Sequence, residues 1–372
     1  MLPMKFLLIH ASLGWGHQRA AMAIQEELAS RGITAEVVDL LDHLPAPLRR
    51  FYPWAYSFMV TRTRWLWRWF YNWNDRARSL YSPANSPTQS WQFNRLRSFI
   101  EEGGYTHVVS THFTAAALLT DWRKQRGWKQ SIFSIVTDYV SHRCWKREGF
   151  DHYFVATEEV AAQMKAARID GQRISVTGIP ISAMFSAPLT REECRKTWNC
   201  AEDETVVLVL SSGLSPARTR AMVQDLREVP GQIRYLVSAG KDPARERFVA
   251  DCCRGDGRFT VFGFSTRIAE MMKAADLLVS KPGGLTTSEA MASGLPQILF
   301  SPIPGQEEAN ADYVTRRGAG LRIEARRGAF RKALLSVFGN PSKLAEMARR
   351  ARELGRPEAA RRIVERLTVP GM

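Results

Sequence analysis

Short apolar runs alternate along the whole chain with longer stretches of helical spacing, the pattern left by parallel strands whose crossover helices cover both faces of a sheet. The runs at 5–10, 35–39, 107–110, 131–137, 152–155 and 174–176 read as strands in the first half. Those at 206–210, 233–238, 259–262, 276–279 and 297–300 do so in the second half. The predicted fold class is therefore α/β, built from doubly wound parallel sheets. A stretch containing Pro and Ser, Pro180 to Pro188, interrupts the alternation before a helix expected to begin near Thr190. With 372 residues the chain exceeds one ordinary core, so two domains are expected, residues 1–185 and 186–372. The basic, helical tail from Pro341 to Leu367 is a candidate to cross back onto the first of them.

Composition narrows the class. A hydrophobic content of 45% suffices for two cores. No uncharged apolar run reaches the ~18 residues a membrane span requires. The start MLPMKFLLIH has too short an apolar run for a secretory signal and reads as a buried first strand. Five cysteines show neither paired metal spacing nor an even framework, as suits a reducing cytoplasm.

The net charge of +15 calls for an anionic partner. Residues 51–78 combine five tryptophans with arginines at 62, 64, 68, 76 and 78. Trp and Tyr favour the boundary between lipid and water, and Arg adds attraction to anionic headgroups. A covered core helix with a basic rim and a stacking platform for single-stranded nucleic acid are the competing readings. The lipid reading is adopted, with Trp65, Trp67, Trp69, Arg62, Arg64 and Arg68 as expected membrane contacts and no nucleic acid partner. Arginines inside the segment would keep it lying on an anionic membrane surface rather than crossing it.

Candidate chemistry concentrates in Lys281 to Asn310. Gly283 and Gly284 form a turn that lets the backbone approach a ligand closely. After Leu285, also a donor-binding candidate, Thr286 and Thr287 open a helix whose N–H groups and dipole favour a diphosphate. Glu289, about one turn inside, is placed to accept hydrogen bonds from ribose hydroxyls. Gln306, Glu307 and Asn310 follow the next apolar strand, where they would read the hydroxyls of a sugar. Two ordinary strand-to-helix turns with solvated polar residues are the competing reading. In the first half, Gly14, Gly16 and His17 follow the first strand at a helix start, where the dipole lowers an imidazole pKa and favours a general base. His112 is a weaker candidate. No Asp-x-Asp pattern offers carboxylates to a metal, so no metal or other cofactor is expected, and leaving-group charge would be met by amides and a helix dipole.

The Lys281–Asn310 run resembles the donor-binding half of the monogalactosyldiacylglycerol synthase and processive diacylglycerol glucosyltransferase family, relatives of the enzyme that adds N-acetylglucosamine to lipid-linked peptidoglycan precursor. IHASLGWGHQRA at Ile9, VTDYVSHRCW at Val136 and FVATEEVAAQMKAARIDGQRISVTGIP at Phe154 extend the likeness. The resemblance implies a GT-B architecture, two Rossmann-like domains with a cleft between them. It also implies inverting, metal-independent transfer of a hexose from UDP-glucose or UDP-galactose to diacylglycerol or a glycosyldiacylglycerol, on the cytoplasmic face of the cell membrane as a peripheral protein. By resemblance His17 is the base, while Asp138 orients it or is itself the base; His142 and Trp145 belong to the acceptor loop. Gly263 and Phe264 would hold the uracil, and Ser238 to Lys241 would lie near the diphosphate. Ser211-Ser212-Gly213 departs from the glycine-richer turn of the family, Phe113 stands where a proline is common, and Trp15 enlarges the glycine loop. A sugar-nucleotide epimerase or hydrolase of related fold, or a non-catalytic lipid-binding protein, are the alternatives.

Overall fold

The computed structural model describes residues 4–61, 63, 65–69 and 91–369. Arg62 and Arg64, and the arginines at 76 and 78, lie outside the described residues. The chain forms two compact units, one of residues 1–183, 303–309 and 356–372, the other of residues 184–302 and 310–355.

The first unit is a six-stranded parallel sheet of β1 (Lys5–His10), β2 (Thr34–Asp39), β3 (His107–Ser110), β4 (Ser131–Ile135), β5 (His152–Val155) and β6 (Ile174–Val176). Its order is β2-β1-β3-β4-β5-β6. Strand alternation supplies two cores from one run: Leu7 and Ile9 pack with Val108, Leu119 and Trp122, while Phe6 and Leu8 point the other way to Ala21, Ile24 and Val109. The second unit has β7 (Thr205–Leu210), β8 (Ile233–Ser238), β9 (Phe259–Phe262), β10 (Leu277–Ser280), β11 (Gln297–Phe300) and β12 (Gly320–Ile323), ordered β12-β11-β10-β7-β8-β9. Val207, Val209 and Tyr235 face Met222, Leu226 and Phe330; Val206, Leu208 and Leu236 face Met271, Met272 and Ala290.

All eleven strands expected from the sequence are present, with shifts of a residue or two at some ends. The edge strand β12 was not expected, because GLRI is short and half polar and only one of its sides is paired. Thr190 caps Arg191–Thr197 through a reciprocal capping box with Glu193, fixing the start of the second unit's first helix.

The tail divides differently from the single basic element expected. Helix Pro341–Leu354 remains with the second unit, and helix Ala359–Leu367 joins the first. Ile363, Val364 and Leu367 are fully buried against Phe6, Leu8 and Ile24. Gly178, at φ +93°, lies under the returning chain: a Cβ there would sit 2.6 Å from the Arg356 Cβ. The glycine of the VTGIP run thus lets the last helix dock.

Candidate active site

In each sheet the strand order reverses once, and open α/β sheets bind ligands beyond the carboxyl ends of strands at such a point. The reversal lies between β1 and β3 in the first sheet and between β7 and β10 in the second. The candidate residues gather at both.

Helix Trp15–Ser30 follows β1 and begins two residues before His17, so the imidazole sits in its first turn. The His17 Nδ1 lies 2.7 Å from the Thr111 carbonyl oxygen and 3.0 Å from the Thr137 hydroxyl. A carbonyl only accepts, so Nδ1 carries the proton and the lone pair is on Nε2. Thr111 also donates its hydroxyl to the His17 carbonyl, tying the end of β3 to that helix turn. Desolvation lowers the His17 pKa to about 4, against a smaller opposing effect of the Thr111 bond. The ring is therefore neutral at pH 7. His112 packs edge-on at 4.6 Å, and its Nδ1 accepts the Thr114 N–H as a helix cap. Buried beside His17 and His10, it is held well below the usual imidazole range, chiefly by desolvation.

In the second unit, helix Gly284–Ala292 begins earlier than the threonines suggested, with Gly283 as its N-cap and no side-chain cap bond. The Gly284, Leu285 and Thr286 N–H groups precede the first intrahelical bond, from Thr287 to Gly283, which is the geometry of an anion site. Lys281 arches over the turn after β7: a Cβ on Gly213 would lie 2.7 Å from its Nζ, and Gly213 has φ +82°. That turn is anchored by Arg245, whose guanidinium donates to the carbonyls of Ser211 at 2.5 Å and Leu214 at 2.8 Å. Ser211 and Ser238 continue the ladder of loops, bonding to the Ser238 and Gly263 carbonyls. Phe264 is an exposed ring with the Lys241 Nζ 4.4 Å from its centroid. Glu289 is buried in the second turn of its helix. Asn310 is buried too, and its amide donates to the Pro282 carbonyl at 3.0 Å, so it braces the glycine turn and is not displayed to a sugar. Loops after β7, β8, β9 and β10 thus present cations, helix-start amides and a flat ring at the carboxyl end of the sheet.

Residues 17–181 match the monogalactosyldiacylglycerol (MGDG) synthase family, and residues 215–363 match the glycosyltransferase family 28 C-terminal domain. The chain thus carries an MGDG synthase domain followed by a glycosyltransferase family 28 C-terminal domain, the make-up of a glycosyltransferase. The chain is 27% identical over 368 residues to a processive diacylglycerol beta-glucosyltransferase of Bacillus mycoides, covering 97% of this chain and 92% of that protein. The same identity and coverage relate it to the protein of that name from Bacillus anthracis. Among solved structures, MurG of Acinetobacter baumannii superposes with a TM-score of 0.63 at 15% identity over 98% of both chains. The UDP complex of S. aureus MnaA does so with 0.66 at 12% identity, over 98% of this chain and 96% of that one. These similarities show the GT-B fold.

The glycosyltransferase departs from the expected site in several places. Asp138 makes no hydrogen bond to His17; a carbonyl, not a carboxylate, sets the imidazole tautomer. Trp145 is buried in the first core against Phe113, and His142 caps the short turn Arg143–Trp145 through the Cys144 N–H, so both fold the 136–145 loop. Glu307 accepts the Ile303 N–H at 2.6 Å and Glu308 the Gly305 N–H at 3.2 Å, folding their own loop.

The aromatic segment also divides. Trp65 is 74% and Trp69 58% exposed, whereas Trp67 is 8% exposed and is no membrane contact. Its Nε1 donates to the Pro304 carbonyl and its ring meets Tyr56 edge-on. The Arg68 guanidinium is engaged by Glu308 at 2.6 Å and is not directed at a lipid surface alone. Phe51, Trp54 and Phe58 instead add a second exposed stack on helix Ala46–Thr61, at the i, i+3, i+7 spacing of one face. No described helix is long and apolar enough to cross a membrane. Thr111, Thr137 and Arg245 were not singled out from sequence, since only the pairing of distant strand ends gives a hydroxyl, a carbonyl or a surface-type Arg its place.

Proposed function

We propose that this glycosyltransferase moves a hexose from UDP-glucose or UDP-galactose to diacylglycerol or a glycosyldiacylglycerol, with inversion and without a metal. The observation that carries the reading is the His17 imidazole, neutral and with its proton fixed on Nδ1, in the region that matches MGDG synthase. Its Nε2 takes the proton of the acceptor hydroxyl as that oxygen attacks the anomeric carbon. The bond from that carbon to the β-phosphate oxygen breaks, and UDP leaves with the electron pair. The growing phosphate charge is met by the Gly284, Leu285 and Thr286 amides and Lys281, in a turn braced by Arg245 and Asn310. Glu289 accepts the ribose hydroxyls, Gly263 offers its backbone to the uracil, and Phe264 stacks on the ring. Gln306 stands by the transferred sugar, on the helix start that Glu307 folds.

The names of the Bacillus relatives support the lipid acceptor. The Trp65 and Trp69 rings with the Phe51–Trp54–Phe58 stack form the lipid-facing surface, and the net charge of +15 favours an anionic membrane, on whose cytoplasmic face the protein would lie as a peripheral component. The test is transfer of label from each UDP-hexose into diacylglycerol liposomes in EDTA. A labelled glycolipid with inverted anomeric configuration supports the reading. Release of free hexose or an epimerised UDP-sugar, with no lipid product, overturns it in favour of hydrolase or epimerase chemistry.

A further inference from the structure

The exposures along residues 65–69 pose a physical question. This helical turn, opened by the Trp67 N–H bonding back to the Thr63 carbonyl, displays two large rings to solvent and buries the one between them. The buried ring is held by a bond that only an indole makes here: Nε1–H donates to the Pro304 carbonyl at 3.1 Å. Tyr56, from the helix that carries the Phe51–Trp54–Phe58 stack, closes on Trp67 edge-on with centroids 5.5 Å apart. One residue on, the Arg68 Nη2 pairs with Glu308. Both partners belong to one short stretch, the turn at Pro304 and the start of helix Gln306–Arg316, where Glu307 and Glu308 accept the Ile303 and Gly305 N–H groups. Further along the same helix, Asn310 braces the Pro282 carbonyl of the donor turn. The exposed rings are thus one or two residues away from the groups that hold the turn and helix start bearing Gln306 and Glu307.

We propose that Trp67 and Arg68 are positioning residues that set the turn and helix start at Pro304–Glu308 for the donor sugar, so that docking of Trp65 and Trp69 on an anionic lipid surface tightens binding of the UDP-hexose. This inference rests on the donor reading given above. The segment has two jobs on alternating faces: its outer rings sense the surface, and its inner ring and guanidinium carry that state to the loop. A protein free of lipid then binds donor weakly, and a sugar-nucleotide is not engaged away from its acceptor membrane. The link is mechanical and short. Rings drawn into an interface fix the helical turn, and a fixed turn presents the Nε1–H and guanidinium to the loop in one geometry in place of several.

The test uses the full chain, with UDP-glucose and UDP-galactose titrated calorimetrically and no diacylglycerol present, so that no turnover intervenes. Titrations are run without vesicles, with phosphatidylcholine vesicles, and with vesicles containing phosphatidylglycerol. The expected result is about 5–10-fold tighter UDP-hexose binding with the anionic vesicles, while free UDP, which lacks the sugar, changes much less. Trp67→Phe keeps the ring and removes the Nε1–H; it is expected to abolish the vesicle response while flotation with the same vesicles is retained. Arg68→Glu weakens the response, and Arg68→Glu combined with Glu308→Arg restores it, a rescue that a merely structural role would not produce. UDP-hexose binding that ignores vesicles, or a full response in Trp67→Phe, overturns the coupling and leaves the donor reading standing. No UDP-hexose binding under any condition overturns both.

Discussion

Lowering the pH separates a desolvated His17 from an ordinary imidazole acting as base. With a pKa of about 4 the ring is ~97% neutral at pH 5.5, whereas a solvated imidazole near 6.5 would be only ~9% neutral there. The account therefore expects kcat/KM for lipid glycosylation to stay within about 10% between pH 7.5 and 5.5, where an ordinary histidine would lose roughly 10-fold. The assay is initial-rate transfer with subsaturating donor, with vesicle binding measured at each pH so that lipid docking is not mistaken for chemistry. A carboxylate base would also titrate near 4, so the profile is read together with His17→Gln and Asp138→Asn. His17→Gln should lower kcat by about 10²–10⁴-fold with the fold intact, the range for a lost general base. Asp138→Asn should cost less, because Asp138 does not bond the imidazole. An acid limb near 6.5, or a normal kcat in His17→Gln, refutes the assignment. The same shift has a stability signature. The folded pKa is depressed, so between pH 6.5 and about 4 the unfolded chain binds more protons and stability rises with pH. His17 alone contributes roughly 3 kcal/mol at most, fully present above 6.5 and lost as pH falls toward 4. His17→Gln should accordingly lose less Tm than the parent on acidification.

Gly178→Ala should destabilise by about 2–5 kcal/mol, combining a left-handed backbone cost with overpacking against Arg356, and should expose the apolar face of helix Ala359–Leu367; calorimetry and hydrogen exchange at 359–367 would show it. Lys281→Met should raise the KM for the UDP-hexose about 10-fold or more with smaller change in that for lipid; an unchanged donor KM would remove Lys281 from the phosphate site. Glu289→Ala should also raise donor KM strongly, and a purely kcat effect would move Glu289 away from the ribose. Replacing Trp65 and Trp69 together by Ala should cut flotation with anionic liposomes severely, while the same change at Trp67 should primarily destabilise, since that ring is packed under Tyr56.

The sequence carries the fold because fully buried parallel strands are continuous apolar runs, such as LLI in β1 and VVLV in β7, and these locate themselves. It misses β12 for the complementary reason: an edge strand with Arg322 exposed has no such run. Of the site, the glycine turn at 282–284 and the helix-start position of His17 are local, and local chemistry is legible. What was not legible depends on distant partners. The tautomer of His17 is set by a carbonyl 94 residues away, and the orientation of Trp67 by one 237 residues away. Three tryptophans at alternate positions look alike in a string of letters, yet a helical turn sends 65 and 69 outward and 67 inward. The same limit applies to Glu307, which accepts the backbone N–H of nearby Ile303, and to Asn310, which donates to the Pro282 carbonyl 28 residues away.

Sugar transfer to lipid is tested by incorporation of radiolabel from UDP-glucose and from UDP-galactose by the purified chain in EDTA, using liposomes of diacylglycerol with and without phosphatidylglycerol. The account predicts a labelled glycosyldiacylglycerol from one or both donors, faster on the anionic liposomes and reduced at least 100-fold by His17→Gln. Turnover of the UDP-hexose that leaves the lipid unlabelled, or label transfer that requires added Mg²⁺, would contradict it.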